Sequence, residues 1–241
     1  MLVAGSGRQL GLAWAALVGT LLLAQYTDVD LWLQELLYRR DQQRWWIDSQ
    51  DPWLRLWFYS GPKGALIAIG VALLAVVVAA WRGWLARHWL RPALYLLLCL
   101  GLIPALISAF KAITHIPCPS QLTLYQGQLP YRHLWEATLV GEQGRCFPAG
   151  HASGGFALMG LAFVGRQRWQ RMAGALIALA TGWTMGLYQM MKGAHFLSHT
   201  LVTFCLAWLM ALVLARSMGN GRDLLDTAHQ HHDQDVDQNI K

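Results

Sequence analysis

Residues 92–111 read PALYLLLCLGLIPALISAFK. Nineteen residues without a formal charge end on a lysine, Lys111. A helix needs about 20 apolar residues to cross a hydrocarbon core about 30 Å thick. The stretch therefore reads as a membrane span with a cation at one end. Five other stretches share its character, at 10–26, 64–81, 148–164, 173–191 and 195–215. With 92–110 they predict an all-α, polytopic bundle of six transmembrane helices. The fourth is rich in Gly and Ala, and such small residues face another helix rather than lipid. The first follows Arg8 as a signal peptide would, but no small-x-small cleavage site comes after it, so it reads as a retained span.

The composition agrees. Of 241 residues, 55% are hydrophobic and 13% are charged, where an average soluble domain carries about 25% charge. That excludes a disordered chain or a strongly charged nucleic-acid binder, and no nucleic-acid partner is expected. The 19 Lys and Arg exceed the 13 Asp and Glu to give +6. They sit largely between the apolar runs, where positive charge marks the cytoplasmic side. Arg82, Arg87 and Arg91 follow the second span, Arg166, Arg168 and Arg171 the fourth, and Arg216 and Arg222 the sixth. Both termini are therefore expected in the cytoplasm. Segment 27–63 then lies outside, where Trp45, Trp46, Trp53 and Trp57 suit an amphipathic helix or two on the membrane surface. Residues 1–222 read as one membrane domain. Residues 223–241, with His229, His231 and His232, read as a solvated cytoplasmic tail.

This topology gathers an unusual polar set at the outer face. Lys111 ends the third span, His151 lies in the first turn of the fourth, Lys192 ends the fifth, and His195 and His199 open the sixth. An ionisable residue at membrane depth costs several kcal/mol unless it is used or paired, so these five read as one site. Pro148-Ala149-Gly150-His151 suits a helix start: proline fits the first turn, glycine allows close approach, and free N–H groups there bind anions. His195 and His199, four apart, would share a helical face. Alone, that pair also fits interfacial packing, a metal site or axial ligation of a haem.

Three segments together are more specific. Lys111-Ala112-Ile113-Thr114-His115-Ile116-Pro117-Cys118-Pro119, then Pro148-Ala149-Gly150-His151, then Gly193-Ala194-His195-Phe196-Leu197-Ser198-His199 resemble the three-part signature of the type-2 phosphatidic acid phosphatase superfamily. That signature is Lys-x6-Arg-Pro, Pro-Ser-Gly-His and Ser-Arg-x5-His-x3-Asp. Order, spacing and placement agree over about residues 111–215, and the sequence is similar to a bacterial subgroup. The resemblance implies a lipid phosphatase of the bacterial inner membrane whose site faces the periplasm and needs neither metal nor other cofactor. His195 would be the nucleophile that forms a phosphohistidine, and His151 the general acid. Lys111 and Gly150 would hold the phosphate. The expected partners are the bilayer and a phosphorylated lipid such as phosphatidic acid, phosphatidylglycerol phosphate, undecaprenyl diphosphate or lipid A.

The chain departs from that signature at five positions. Cys118 stands for the first arginine, Ala149 for serine, Gln189 for the third-motif arginine, Tyr188 for the serine before it, and His199 for the aspartate that orients the nucleophile. Two guanidiniums able to grip phosphate bidentately are missing. Either the site is degenerate, or Arg145 and Lys192 restore the charge while a neutral His199 accepts a hydrogen bond from His195; compensation is the expectation here. Cys118 and Cys146, both outside and each beside a motif, are expected to form a disulfide in an oxidising periplasm, the alternative being two free thiols. Cys99 and Cys205 read as packing residues. Loop 120–147, with Tyr125, Tyr131 and Trp135, reads as a lid at headgroup level. Competing functions are phosphotransfer from lipid to lipid, or a non-catalytic membrane protein that binds haem, a metal or anionic lipid.

Overall fold

The computed structural model describes residues 6–140 and 144–219, so the polar tail expected from residue 223 lies outside the described part. Helix α1 (Ser6–Tyr26) leads into the short α2 (Val29–Leu37) and a two-stranded antiparallel hairpin, β1 (Tyr38–Arg39) with β2 (Arg44–Trp45). Helix α3 (Pro52–Arg55) runs through a π-helical turn at Leu56–Ser60 into α4 (Gly61–Trp81). Then come α5 (Leu90–Thr114), α6 (Leu134–Val140), α7 (Gly150–Ala157), α8 (Leu161–Val164), α9 (Arg168–Met191) and α10 (Leu197–Ser217).

Among the described residues, four helical stretches are long and apolar enough to cross a membrane: Gly7–Tyr26, Pro52–Trp81, Arg87–Gln121 and Leu197–Ser217. On α4, Ile67, Val71 and Leu74 are all at least half exposed, an apolar face suited to lipid rather than water. The other two expected spans exist as helices but differ in kind. Gly150–Val164 is a shorter apolar helix, made of α7, a 3-10 turn and α8. α9 has 24 residues, but its Arg168, Gln170 and Arg171 dilute its apolar character.

The core sits around α7, which packs against α9, α5 and α10, while α1 lies on α10 and α4 on α5. Glycines set the closest approach. A Cβ on Gly155 would stand 2.6 Å from the Gly182 nitrogen, and one on Gly182 would enter the Phe156 ring. Here the Gly- and Ala-rich stretch faces other helices, with Ala152, Phe156 and Ala157 buried. Gly182→Val is expected to overpack this contact and cost about 1–3 kcal/mol, seen as a lower unfolding midpoint in detergent. An unchanged midpoint would mean that α9 can retreat from α7 at no cost.

Segment 27–63 contains the helices α2 and α3 and also the hairpin, which the reading as a surface helix or two did not anticipate. Tyr38 and Trp45 pair across it, ring centroids 4.9 Å apart, and both pack on Tyr125 at 5.1 and 5.0 Å. With Leu122 and Phe196 these rings build a second apolar cluster, which gives two short strands a reason to pair.

Candidate active site

The three motifs are laced together by backbone. Thr114 Oγ1 donates to the Phe147 carbonyl at 2.5 Å, and Cys146 N–H to Ile116 at 2.9 Å. Cys118 and Cys146, 28 residues apart in sequence, are joined by a disulfide. Ser120 N–H donates to the Gly193 carbonyl at 2.9 Å, and Ala149 N–H to His199 at 3.2 Å. Thr203 Oγ1 reaches both the Ala149 and His199 carbonyls, at 3.3 and 2.8 Å. Each motif is therefore tied to both others.

His195 does not open the last helix, because α10 begins at Leu197 with Phe196 extended before it. Gly193 turns the chain with φ +73°, a conformation suited to glycine, and a Cβ there would run into the Trp45 ring. His195 and His199 thus do not share a helical face. Their rings meet edge-on at 5.8 Å, and no hydrogen bond joins them among the described residues. The Cys146 carbonyl lies toward both imidazoles, yet Nδ1 of each lacks a hydrogen bond of good geometry. His199 is boxed by Phe147 and Phe196, centroids 5.2 and 5.3 Å away. Both histidines are buried. Burial first, then His199, Lys111 and His151, holds the His195 imidazole well below its ordinary 6.5.

The turn is also clamped from segment 27–63. Asp30 is buried, and its carboxylate accepts hydrogen bonds from Ser198 N–H at 2.9 Å and from Ser198 Oγ. Gln34 Nε2 donates to the Met190 carbonyl at 3.0 Å, and Ile47 N–H to Met191 at 3.2 Å. Motif reading missed these residues. A signal was there: Asp30 and Gln34, four apart, stand on one face of a mainly apolar helix.

His151 sits in the first turn of α7, whose N-terminus no side chain caps, so its first N–H groups remain available for an anion. A Cβ on Gly150 would lie 3.9 Å from Lys111 Nζ, so the ammonium already approaches that backbone. Both residues line a cavity of about 570 Å³ between α4, α5 and α7. Lys63, Lys111, Gly150 and His151 mark its end at the helix termini; Leu66, Leu97 and Pro104 line its apolar depth. Lys63 is another residue the motifs did not single out. Lys192, Lys111 and Lys63 all bear electrostatically on His151.

Lys192 lies just past α9, its Nζ 5.1 Å from the ring centroids of both Tyr59 and Tyr188. Gln189 is buried, and its Nε2 has no hydrogen-bond partner among the described residues. Arg145 is exposed and, like Lys192, does not line the cavity; among the described residues, Lys63 and Lys111 are the lysines and arginines that do. Cys99 and Cys205 are buried free thiols. Among the described residues, no three His, Cys, Asp or Glu are grouped as a metal site.

Comparison with known proteins agrees with this arrangement at the level of family. The family model described as PAP2 superfamily matches residues 92–223, more than half of the 241-residue chain. No curated protein and no solved structure matches it. With its motifs interlocked around His195 and its apolar helices, the chain belongs to the PAP2 superfamily, the type-2 phosphatidic acid phosphatases, as a multi-pass membrane protein of phosphatase type.

Proposed function

We propose that the protein hydrolyses a phosphate monoester or diphosphate of a membrane lipid at the periplasmic face of a bacterial inner membrane, through a phosphohistidine on His195. The observation that carries this reading is that His151 and Lys111 line the polar end of an apolar cavity and both bear electrostatically on the buried His195. A lipid phosphate at that end would leave its hydrocarbon in the apolar depth. The six helices α1, α4, α5, α7–α8, α9 and α10 would each cross the bilayer, with both termini cytoplasmic. The Cys118–Cys146 disulfide suits that oxidising side.

Neutral His195 attacks phosphorus, forming a P–N bond while the P–O bond to the lipid breaks. His151 gives its proton to the departing oxygen. Water then attacks phosphorus, His151 takes a proton from it, and the P–N bond electrons return to His195. Lys111, Lys63 and Lys192 stabilise the negative charge, as phosphoryl transfer chiefly requires, so ammoniums replace the two missing guanidiniums. Gln189 Nε2 and the uncapped N–H groups at Gly150 add donors.

The test is a panel of phosphatidic acid, phosphatidylglycerol phosphate, undecaprenyl diphosphate and lipid A, assayed with purified protein for free phosphate and dephosphorylated lipid together. At least one lipid should yield both in equal amount. Dephosphorylation with less free phosphate would mean transfer to another lipid. A Soret band with no release from any lipid would overturn the reading in favour of haem binding.

A further inference from the structure

The sequence Leu56-Trp57-Phe58-Tyr59-Ser60-Gly61 lies far from the three motifs and matches none of them. In the fold Leu56–Ser60 form a π-helical turn, a rare form that recurs at functional sites, and Gly61 follows it. Two adjacent side chains of this turn reach the site. Tyr59 lies over His151, ring centroids 4.0 Å apart and planes at 33°. Phe58 stacks on Tyr188 at 5.8 Å and 19°. Lys192 Nζ stands 5.1 Å from Tyr59 and from Tyr188 alike, within cation–π range of both rings. One ring thus touches the imidazole and Lys192. Gly61 lets the turn take this shape, since a Cβ there would stand 2.7 Å from the Leu56 carbonyl oxygen.

We propose that Tyr59, presented by the π turn, is a positioning residue that fixes the His151 ring against the leaving-group oxygen. The proposal rests on the reading of His151 as general acid. The ring makes the contact, and no hydrogen bond from the Tyr59 hydroxyl enters the argument, so phenylalanine should replace tyrosine.

The test is single-turnover cleavage of two substrates that differ in their need for a proton. An alkyl phosphate lipid must have its leaving oxygen protonated; a nitrophenyl phosphate bearing an acyl chain releases nitrophenolate without that help. Tyr59→Ala should slow the alkyl substrate about tenfold, part of what a positioned acid supplies, and the nitrophenyl substrate less than about twofold. Tyr59→Phe should restore the alkyl rate. Gly61→Ala, which touches no substrate, should reproduce the alkyl-selective loss by displacing the turn. Equal loss on both substrates, or none, would overturn the proposal. If His151→Ala itself fails to distinguish the two, the general-acid reading falls instead. A second measurement needs no turnover. Carbethoxylation of His151 by diethyl pyrocarbonate, followed by peptide mapping, should run several-fold faster in Tyr59→Ala and at the wild-type rate in Tyr59→Phe. Equal rates in all three would show that the ring does not cover His151.

Discussion

His195→Ala is expected to abolish phosphate release from every lipid that the wild-type protein dephosphorylates, a loss of about 10⁴-fold or more, as for removal of other nucleophiles. The backbone should tolerate the change. His195 lies in the turn between α9 and α10, and that turn is held by Asp30, Gln34 and Ile47 on Ser198, Met190 and Met191 rather than by the imidazole. Unchanged release from this variant would sink the phosphohistidine mechanism. The acid side of the pH profile tests the same group. Burial and its cationic neighbours hold His195 well below 6.5, and only the neutral ring attacks phosphorus. A lowered pKa keeps the ring neutral further into acid, so the ascending limb of kcat/KM is expected below pH 6.5. A limb above 6.5 assigned to His195 would contradict its burial.

The sequence made much of this legible because its strongest signals are local. An uncharged run such as 92–110 has few alternatives to a helix, and the apolar helices follow from that alone. The motifs were readable because a few residue types at fixed spacing do most of the chemistry. What escaped was long-range. The reading of His195 and His199 as a helical pair assumed that α10 began two residues earlier than it does; Gly193 at positive φ, packed under Trp45, sets a turn there instead. Arg145 is near His151 in sequence but is exposed and does not line the cavity. Lys63, some ninety residues away along the chain, reaches the cavity because α4 begins where α5 ends. Asp30, Gln34 and Tyr59 belong to a segment read only as a surface helix or two, and nothing in its local pattern says which turn it will close over.

His151→Ala is expected to split the reaction in two. With an alkyl phosphate lipid the departing alkoxide needs a proton, and loss of the acid should slow cleavage by about 10²- to 10⁴-fold. With a nitrophenyl phosphate the leaving group departs without one, so His195 should still be phosphorylated at close to its normal rate. The phosphoenzyme then needs water activated by the same imidazole. In the variant it should therefore accumulate, giving a burst of one nitrophenolate per protein followed by a slow steady rate, with phosphate held on His195 and detectable by mass. The geometry makes this separation feasible. His151 sits in the first turn of α7, a helix held by buried Ala152, Phe156 and Ala157 and by the Ala149–His199 hydrogen bond, none of which depends on the imidazole. Loss of both substrates alike, with no burst, would mean that His151 serves the attack on phosphorus rather than the departure of the lipid. Its stacking against Tyr59 would then orient it toward the phosphate oxygens beside Lys111 instead of toward the leaving group.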